Sequence, residues 1–311
     1  MNQPILNHLP KNSLKDIPKD FPKFLCLPKE QCDPKTAMYQ ILPVPYEGTV
    51  CFLDGTAKGP AAILAVSDQM EHFDEELLID FTQCGIAVLP PIPPADTPEE
   101  EFERIYSTVK QYDFFRAKRF PILLGGEHSI TPPMVRAASE FCENLSVLQF
   151  DAHADLRESY TGGRYSHASA MRRVLDWTPH LVQVGIRSFS EEEYRDHPER
   201  IHRILTPKML AEDPNDCFER ILYCLTEHVY ITIDIDVFDP ALAPGTGTPE
   251  PGGLDWRQVT GLLRKVCAAK NVIGADLVET APLGGHNVVT EFLAARLVSK
   301  IIAYTQDKSS Y

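Results

Sequence analysis

The chain has 311 residues, of which 43% are hydrophobic and 24% are charged, a balance typical of soluble globular proteins. Its net charge of −14 argues against nucleic-acid binding, which depends on basic surface, and no apolar run reaches the ~20 residues that cross a membrane. The eight cysteines are scattered without a C-x-x-C pair, and the N-terminus lacks the pattern of a signal peptide. We therefore expect reduced thiols and a cytoplasmic protein.

Predicted strands and helices alternate along the chain after an irregular extension at residues 1–36. In chain order they are a strand at 38–44, a helix at 59–73, a strand at 85–89, a helix at 98–118, a strand at 122–128, a helix at 131–140, a strand at 145–150, a helix capped by Ser166, a strand at 181–186, a helix at 214–228, a strand at 229–236, a helix at 255–268, a strand at 272–279 and a helix at 288–304. Asp255 and Gln258 have the spacing of a capping box. The alternation predicts one α/β domain over residues 37–311, with a mainly parallel sheet of about eight strands covered by helices on both faces.

Asp151, His153 and Asp155 directly follow the predicted strand at 145–150. In an extended backbone the side chains of residues i, i+2 and i+4 point the same way, so these three are expected to converge just past the strand end. Two carboxylates and an imidazole at such short range repel one another and lose hydration unless a cation lies between them. A polar loop is the alternative interpretation of these residues taken alone.

Two further predicted strands end in residues of the same kind. Asp234 and Asp236 close the β-branched run at 229–236, and His128 follows an apolar run that closes on Gly-Gly. Parallel α/β sheets place their sites at the carboxyl ends of the strands, so all six side chains are expected at one place. Six ligands fit two ions that share carboxylates. Because they are Asp and His without Cys, they suit a divalent ion such as manganese.

Three motifs of the chain resemble the signature motifs of the ureohydrolase family, which contains arginase and agmatinase. They are Gly125-Gly126-Glu127-His128-Ser129, Asp151-Ala152-His153-Ala154-Asp155 and Asp234-Ile235-Asp236-Val237-Phe238-Asp239-Pro240. The resemblance extends from about residue 42 to residue 304. It implies the three-layer α/β/α fold of arginase, a homotrimer or homohexamer, and hydrolysis of a guanidino compound to urea and an amine.

The resemblance also implies how the metal ligands divide between two ions. One ion would be held by His128, Asp151, Asp155 and Asp234, and the other by Asp151, His153, Asp234 and Asp236. Asp151 and Asp234 would then bridge the ions, and two ions close together lower the pKa of a shared water. The alternative is a hydrogen-bonded polar cluster without a cation, which would bury several charges at high cost.

Three catalytic residues are implied by the same resemblance, namely His167, Glu279 and Asp155. His167 matches the family histidine that shuttles protons, with a surface or capping histidine as the alternative. Glu279 matches the glutamate that pairs with the substrate guanidinium, since a carboxylate complements a planar cation through paired hydrogen bonds. A salt-bridged glutamate at a strand end is its alternative. Arg157 and Glu158, together with His167 and Glu279, are predicted to contact the substrate.

The segments 165–173 and 243–249 look closer to the agmatinase branch, including enzymes that act on aminopropylagmatine, than to arginase. Arginases usually carry Asn at the position of Arg157, which argues against arginine as the substrate. We therefore expect hydrolysis of agmatine to putrescine or of N1-aminopropylagmatine to spermidine. Glu47, Glu158 and Glu250 are candidates for holding a cationic tail, and a solvated side chain is the favoured alternative for each. Arginase or guanidinobutyrase activity is the alternative. A deacetylase-like hydrolase and a non-catalytic regulator of polyamine metabolism are the more distant ones.

Overall fold

The computed structural model describes residues 22–161, 163–196 and 203–306. In chain order its elements are β1 (Tyr39–Val44), α1 (Gly59–Ser67), β2 (Phe73–Asp74), β3 (Ile79–Asp80), β4 (Ile86–Val88), α2 (Pro98–Tyr112), β5 (Phe120–Gly125), α3 (Thr131–Ser139), β6 (Leu145–Phe150), α4 (Ala170–Val174), β7 (His180–Val184), α5 (Glu191–Asp196), β8 (Ile204–Leu205), α6 (Pro207–Glu212), α7 (Pro214–Cys224), β9 (His228–Asp234), α8 (Trp256–Ala269), β10 (Asn271–Val278) and α9 (Val289–Gln306). Eight strands form one sheet in the order β4-β1-β5-β10-β9-β6-β7-β8, and β2 pairs with β3 alone. Every pairing in the large sheet is parallel, so the predicted sheet is confirmed.

Helices cover both faces of this sheet, which explains why its strands are continuous apolar runs in the sequence. Successive strand residues point to opposite faces, so Ile41 and Leu42 belong to two different hydrophobic clusters. The cluster of Ile41 includes side chains from α1, α7, α8 and α9. The cluster of Leu42 includes side chains from α2, α3 and α4. The three-layer α/β/α architecture is therefore confirmed.

Three predicted helices end earlier than expected. α1 ends at Ser67 rather than near residue 73, because Phe73 already pairs with Asp80 in the small hairpin. α2 ends at Tyr112 rather than at residue 118, and the next residue, Asp113, has the left-handed φ of 50° that terminates many helices. α7 ends at Cys224, which leaves a short turn before β9. The capping box that opens α8 is formed as predicted.

The sequence did not locate β8, the β2–β3 hairpin, α5 or α6. These elements are two to six residues long, so they are too short to show a hydrophobic period. The described part of the predicted extension, residues 22–36, packs against the body of the domain: Phe24 and Leu25 are buried, and the Leu25 N–H donates to Ser67 Oγ at 2.9 Å. Residues 1–21 lie outside the described residues. Among the described helices, none is long and apolar enough to cross a membrane.

Candidate metal centre and active site

The four middle strands of the sheet bring their carboxyl ends to one place. β5, β10, β9 and β6 are neighbours, and His128, Glu279, Asp234 and Asp151 stand at or just beyond their ends. The loop after β5 can approach its neighbours because it begins with glycine. A Cβ at Gly126 would lie 1.9 Å from a carbonyl oxygen of the loop that follows β1, so no other residue fits there without a backbone shift.

His128 is the centre of a first group of ligand atoms. Its Nδ1 lies 3.0 Å from Asp151 Oδ2 and 3.1 Å from Asp155 Oδ2. The same nitrogen lies 3.6 Å from Asp234 Oδ2. All four side chains are buried. The His128, Asp151 and Asp155 atoms are close enough together to hold one metal ion.

Asp151 also belongs to a second group of ligand atoms, with His153 and Asp236. His153 Nδ1 lies 2.9 Å from Asp236 Oδ2 and 3.6 Å from Asp151 Oδ1. Asp151 therefore faces the first group with one carboxylate oxygen and the second group with the other, which is the geometry of a bridging ligand. The structure thus brings together all six residues that the sequence suggested as metal ligands.

These residues fit a metal centre because some of their atoms are left without a partner. His128 Nδ1 and Asp236 Oδ2 are buried, and the short contacts that they make with Asp151 and His153 do not have the geometry of hydrogen bonds, so neither atom is satisfied within the described residues. A buried polar atom without a partner costs about 1–3 kcal/mol, which a bound cation would remove. Imidazole and carboxylate ligands suit a divalent ion of the manganese type better than a thiolate-preferring ion.

The charges of the cluster also call for a cation. Burial, followed by the charges of Asp236 and Asp151, raises the pKa of Asp234 well above its usual range. Burial and the charge of Asp151 raise the pKa of Asp155 to about 7. Burial alone lowers the pKa of His153, but the neighbouring carboxylates of Asp236 and Asp151 raise it to about 12. Without metal, the raised pKa values mean that protons on these side chains offset the negative charge of the cluster. Bound metal ions would supply that positive charge instead.

Hydrogen bonds behind the cluster set the tautomer of His128. Its Nε2 lies 2.8 Å from Thr232 Oγ1, and that hydroxyl donates its only proton to Asp276 Oδ1 at 2.5 Å. The ring must therefore donate from Nε2, so that in its neutral form, the form that binds a metal ion, the Nδ1 lone pair faces the carboxylates. Asp276 is anchored further by the hydroxyls of Tyr230 and Thr131, each 2.9 Å from its Oδ2.

Contrary to the prediction, the aspartates do not follow the strands on continuous extended backbone. Asp155 has a φ of 53°, so the chain turns there and does not continue as a strand. β9 ends at Asp234, and Asp236 lies in the 3-10 turn Ile235–Val237. The carboxylates still meet because these turns redirect them. Glu279 has a φ of 61°, and such strained backbone is typical of functional sites.

His167 lies beside the cluster at the start of the 3-10 turn His167–Ser169, which leads into α4. The predicted cap is not formed, because the Ser166 hydroxyl donates to Ser169 Oγ instead of accepting a backbone N–H. His167 Nδ1 lies 3.0 Å from Thr49 Oγ1. Burial, followed by the positive charges of His128 and His153, lowers the pKa of His167 to about 4. The imidazole is therefore neutral near pH 7.

Glu279 lies at the end of β10 with its carboxylate toward the cluster. Its Oε1 accepts the His128 backbone N–H at 2.7 Å, and its own N–H donates to Gly126 O at 2.8 Å. Among the described residues no Lys, Arg or His pairs with this carboxylate, which argues against the salt-bridge alternative. A Cβ at Gly247 would lie 3.9 Å from Glu279 Oε2, so the segment 243–249 reaches this carboxylate.

The chain matches the model of the arginase family over residues 37–303. It belongs to the arginase family. It is 37% identical over 273 residues to the N(1)-aminopropylagmatine ureohydrolase of Synechocystis sp., covering 85% of this chain and 88% of that protein. It is 35% identical over 277 residues to the agmatinase of Pyrococcus horikoshii, covering 87% and 93%. Its structure resembles proclavaminate amidino hydrolase from Streptomyces clavuligerus with a TM-score of 0.82 and 29% identity, covering 92% and 97%.

As a member of the arginase family, this chain is a hydrolase that acts on a guanidino compound, and its relatives place it with the agmatinases. The predicted family and reaction type are therefore confirmed. The family depends on a binuclear metal centre, and the two adjoining ligand groups of this chain could hold metal ions. The assignment of individual residues to roles, and the start of the catalytic domain at residue 37, stay predictions.

Arg157 and Glu158, which were predicted to contact the substrate, both interact with charged or aromatic side chains of this chain. The Glu158 carboxylate pairs with Arg172 at 2.8 Å and with Arg173 at 2.7 Å. Arg157 Nε lies 4.0 Å from Glu193 Oε2, and its guanidinium lies over the Tyr160 ring. Both charges are thus already partnered within the chain, and their substrate contacts stay predictions.

The other two candidates for a cationic tail differ from each other. Glu47 accepts the N–H groups of Gly55 at 2.7 Å and Ala57 at 2.8 Å, so it holds a loop in place. Glu250 contributes its backbone carbonyl to Arg187 at 2.7 Å. Neither observation places a carboxylate at the ligand cluster.

Sequence reasoning missed the residues that support the ligands of this arginase-family centre. Thr232 and Asp276 are polar residues inside β9 and β10, whose other central residues are apolar and buried. The available signal was Asp276, a charged residue in a strand that is buried on both faces. Burying such a group is costly unless it has hydrogen-bond partners, so its presence indicates a polar network around it. Thr49 had no comparable signal, since it lies in a loop and meets His167 only in the folded chain.

Proposed function

We propose that this chain hydrolyses N1-aminopropylagmatine to urea and spermidine, with agmatine, which would yield putrescine, as the second candidate. The observation that carries the proposal is the cluster of six Asp and His side chains, with His167 and Glu279 beside it, in a member of the arginase family. The named relatives support the two candidates: the Synechocystis protein favours aminopropylagmatine and the Pyrococcus protein favours agmatine.

The ligands would be His128, Asp151, Asp155 and Asp234 for one ion and Asp151, His153, Asp234 and Asp236 for the other. When bound, two such ions supply an activated water near neutral pH. We further propose manganese as the metal, because the ligands are oxygen and imidazole nitrogen atoms only. The Thr232–Asp276 pair would keep the His128 ring turned toward its ion.

The remaining residues would handle the organic substrate. The Glu279 carboxylate, which lacks a cationic partner among the described residues, would pair with the guanidinium and fix its carbon beside the cluster. The overall reaction adds water across one C–N bond: the water oxygen ends in urea, and both water protons end on the amine nitrogen, which leaves as an ammonium. His167 would carry one of these protons, because its ring is neutral near pH 7 and can both accept and release a proton. Asp155 is the third proposed catalytic residue, in addition to its proposed role as a metal ligand.

A urea-release assay on the manganese-loaded protein tests this proposal. The substrates are N1-aminopropylagmatine, agmatine, arginine and 4-guanidinobutyrate at equal concentrations. We expect kcat/KM to be highest for one of the first two, and we expect treatment with a chelator to abolish the rate until manganese is restored. Preference for arginine or guanidinobutyrate would overturn the proposed substrate, and chelator-resistant turnover would overturn the metal dependence.

We also propose that the protein is cytoplasmic and assembles as a homotrimer or homohexamer. All eight cysteines are free thiols, which suits a reducing compartment. The oligomer is carried over from the family resemblance, and sedimentation equilibrium of the purified protein tests it. A monomer at working concentration would contradict it.

A further inference from the structure

The loop between β1 and α1 is fixed to the site by two glutamates. The Glu127 carboxylate accepts the N–H groups of Gly48 at 2.9 Å and Thr49 at 2.7 Å through Oε2. Glu47 holds the far end of the same loop through two further N–H groups. The position of Thr49 is therefore set by backbone contacts, so its hydroxyl is free to serve another purpose.

The hydrogen bonds of the Thr49 hydroxyl show what it does. Thr49 Oγ1 donates to Glu127 Oε1 at 2.8 Å, and the Ser129 hydroxyl donates to the same oxygen at 2.5 Å. With four donors around it, the Glu127 carboxylate serves as the acceptor. A hydroxyl has one proton, so Thr49 can offer only lone pairs to its remaining neighbours. Those neighbours are the His167 backbone N–H at 3.1 Å and His167 Nδ1 at 3.0 Å.

We propose that Thr49, held by Glu127, is a positioning residue that fixes His167 in the tautomer with a proton on Nδ1 and a free lone pair on Nε2. This inference rests on the proposed proton-carrying role of His167 and names the atom that performs it: Nε2 accepts the proton and later releases it to the leaving amine. On the other side of the ring Cys51 Sγ lies 3.6 Å from Nε2, and a thiol, which can either donate or accept weakly, is compatible with a lone pair there.

The same device occurs twice in the site with opposite outcomes. His128 is bonded through Nε2 to a threonine that donates to Asp276, which leaves Nδ1 free for a metal ion. His167 is bonded through Nδ1 to a threonine that donates to Glu127, which leaves Nε2 free for a proton. In each case a threonine hydroxyl donates its proton to a buried carboxylate, so it must accept a hydrogen bond from the imidazole, and this fixes the tautomer of the ring.

Solid-state NMR of protein labelled with 15N-histidine and loaded with Mg²⁺, which is diamagnetic, reads the tautomer directly. The His167 signals are those missing from the spectrum of His167→Asn. We expect the wild-type ring to carry its proton on Nδ1 and the Thr49→Val ring to lose this preference. A wild-type ring protonated on Nε2 would overturn the proposal, whether or not the Thr49→Val variant folds.

Kinetics provide the second test. Thr49→Val is nearly isosteric and keeps the backbone N–H bonded to Glu127, so we expect kcat to fall about tenfold or more with KM within about twofold, a part of the ~10²–10⁴-fold that acid–base help is worth. Thr49→Ser should restore most of the rate. Thr108→Val makes the same change at a partly exposed position of α2, where the hydroxyl donates to Arg104 O, and should match wild type.

Two results would refute the positioning role: an unchanged kcat in Thr49→Val, or a Thr49→Ser variant as slow as Thr49→Val. Failure of the proposed function would look different, because the wild-type protein would then release no urea from any guanidino substrate. The NMR measurement would still report the tautomer in that event, so the two failures are distinguishable.

Discussion

Replacing Asp234 with Asn should affect the metal-free and metal-loaded proteins in opposite directions. Asn keeps the oxygen that accepts the Asp236 N–H at 2.9 Å and loses the negative charge at Oδ2. Without metal, that charge is unfavourable, because burial and the neighbouring carboxylates raise the pKa of Asp234. An acid whose pKa is raised by folding lowers the stability once the pH exceeds its unfolded pKa near 4. The metal-free variant should therefore be at least as stable as metal-free wild type at pH 7.

The metal-loaded forms should show the reverse order. At a free metal concentration 100 times Kd, each ion stabilises the fold by about 2.7 kcal/mol, so two ions contribute about 5 kcal/mol. For a domain of this size, with about 2 °C per kcal/mol, this corresponds to a rise in Tm of about 10 °C. If Asp234 serves both ions, Asp234→Asn should lose most of that rise and should bind fewer than two ions per chain.

Calorimetry with and without manganese, together with elemental analysis, measures these effects. Asp239→Asn is the matched control, because Asp239 lies in the same motif but accepts the N–H groups of Ala241, Gly252 and Gly253 away from the ligand cluster. It should lower the Tm of both forms equally and keep both ions. If Asp234→Asn behaves like this control, or keeps two ions and the full rise in Tm, then Asp234 does not bridge the two sites.

Three further substitutions have distinct expected outcomes. Glu279→Gln should lower kcat/KM by ~10²-fold or more at unchanged metal content, since the charge-assisted pair with the guanidinium is lost; near-normal urea release would exclude that pairing. His167→Asn should lower kcat by ~10²–10⁴-fold, with partial recovery in imidazole buffer, and loss of a metal ion would instead make it a ligand. Lys300→Met should lower the free energy of unfolding, measured with denaturant, by about 3–5 kcal/mol, because Asp74, 2.9 Å away, would stay buried without its cation. A loss below about 1 kcal/mol would contradict this.

The local sequence was sufficient for the sheet and the ligand types. Strands such as Leu145–Phe150 are apolar runs bounded by turn residues, and the ligands follow them directly in the chain. Because parallel strands end at one edge, residues as distant in sequence as His128 and Asp234 could be expected to meet. This inference needs only local patterns and a general rule about sheets, and the structure agrees with it.

The tertiary structure alone decided the details of the site. The φ of 53° at Asp155 and the 3-10 turn at Asp236 replace the continuous extended backbone that the strand pattern predicted. The pairing of Glu158 with Arg173 likewise needs a fold that brings a loop against α4. Sequence patterns report what a residue favours, whereas these features depend on which neighbours the fold supplies.

The tautomers of His128 and His167 show most clearly what the sequence alone does not determine. Thr49 is 78 residues from Glu127 and 118 residues from His167, yet its single hydroxyl proton decides which nitrogen of His167 is free. A hydrogen bond depends on a distance of about 3 Å and on direction, and chain position fixes neither for residues so far apart. The sequence could therefore determine which groups belong to the site, while only the folded chain determines which atom of each group faces the substrate.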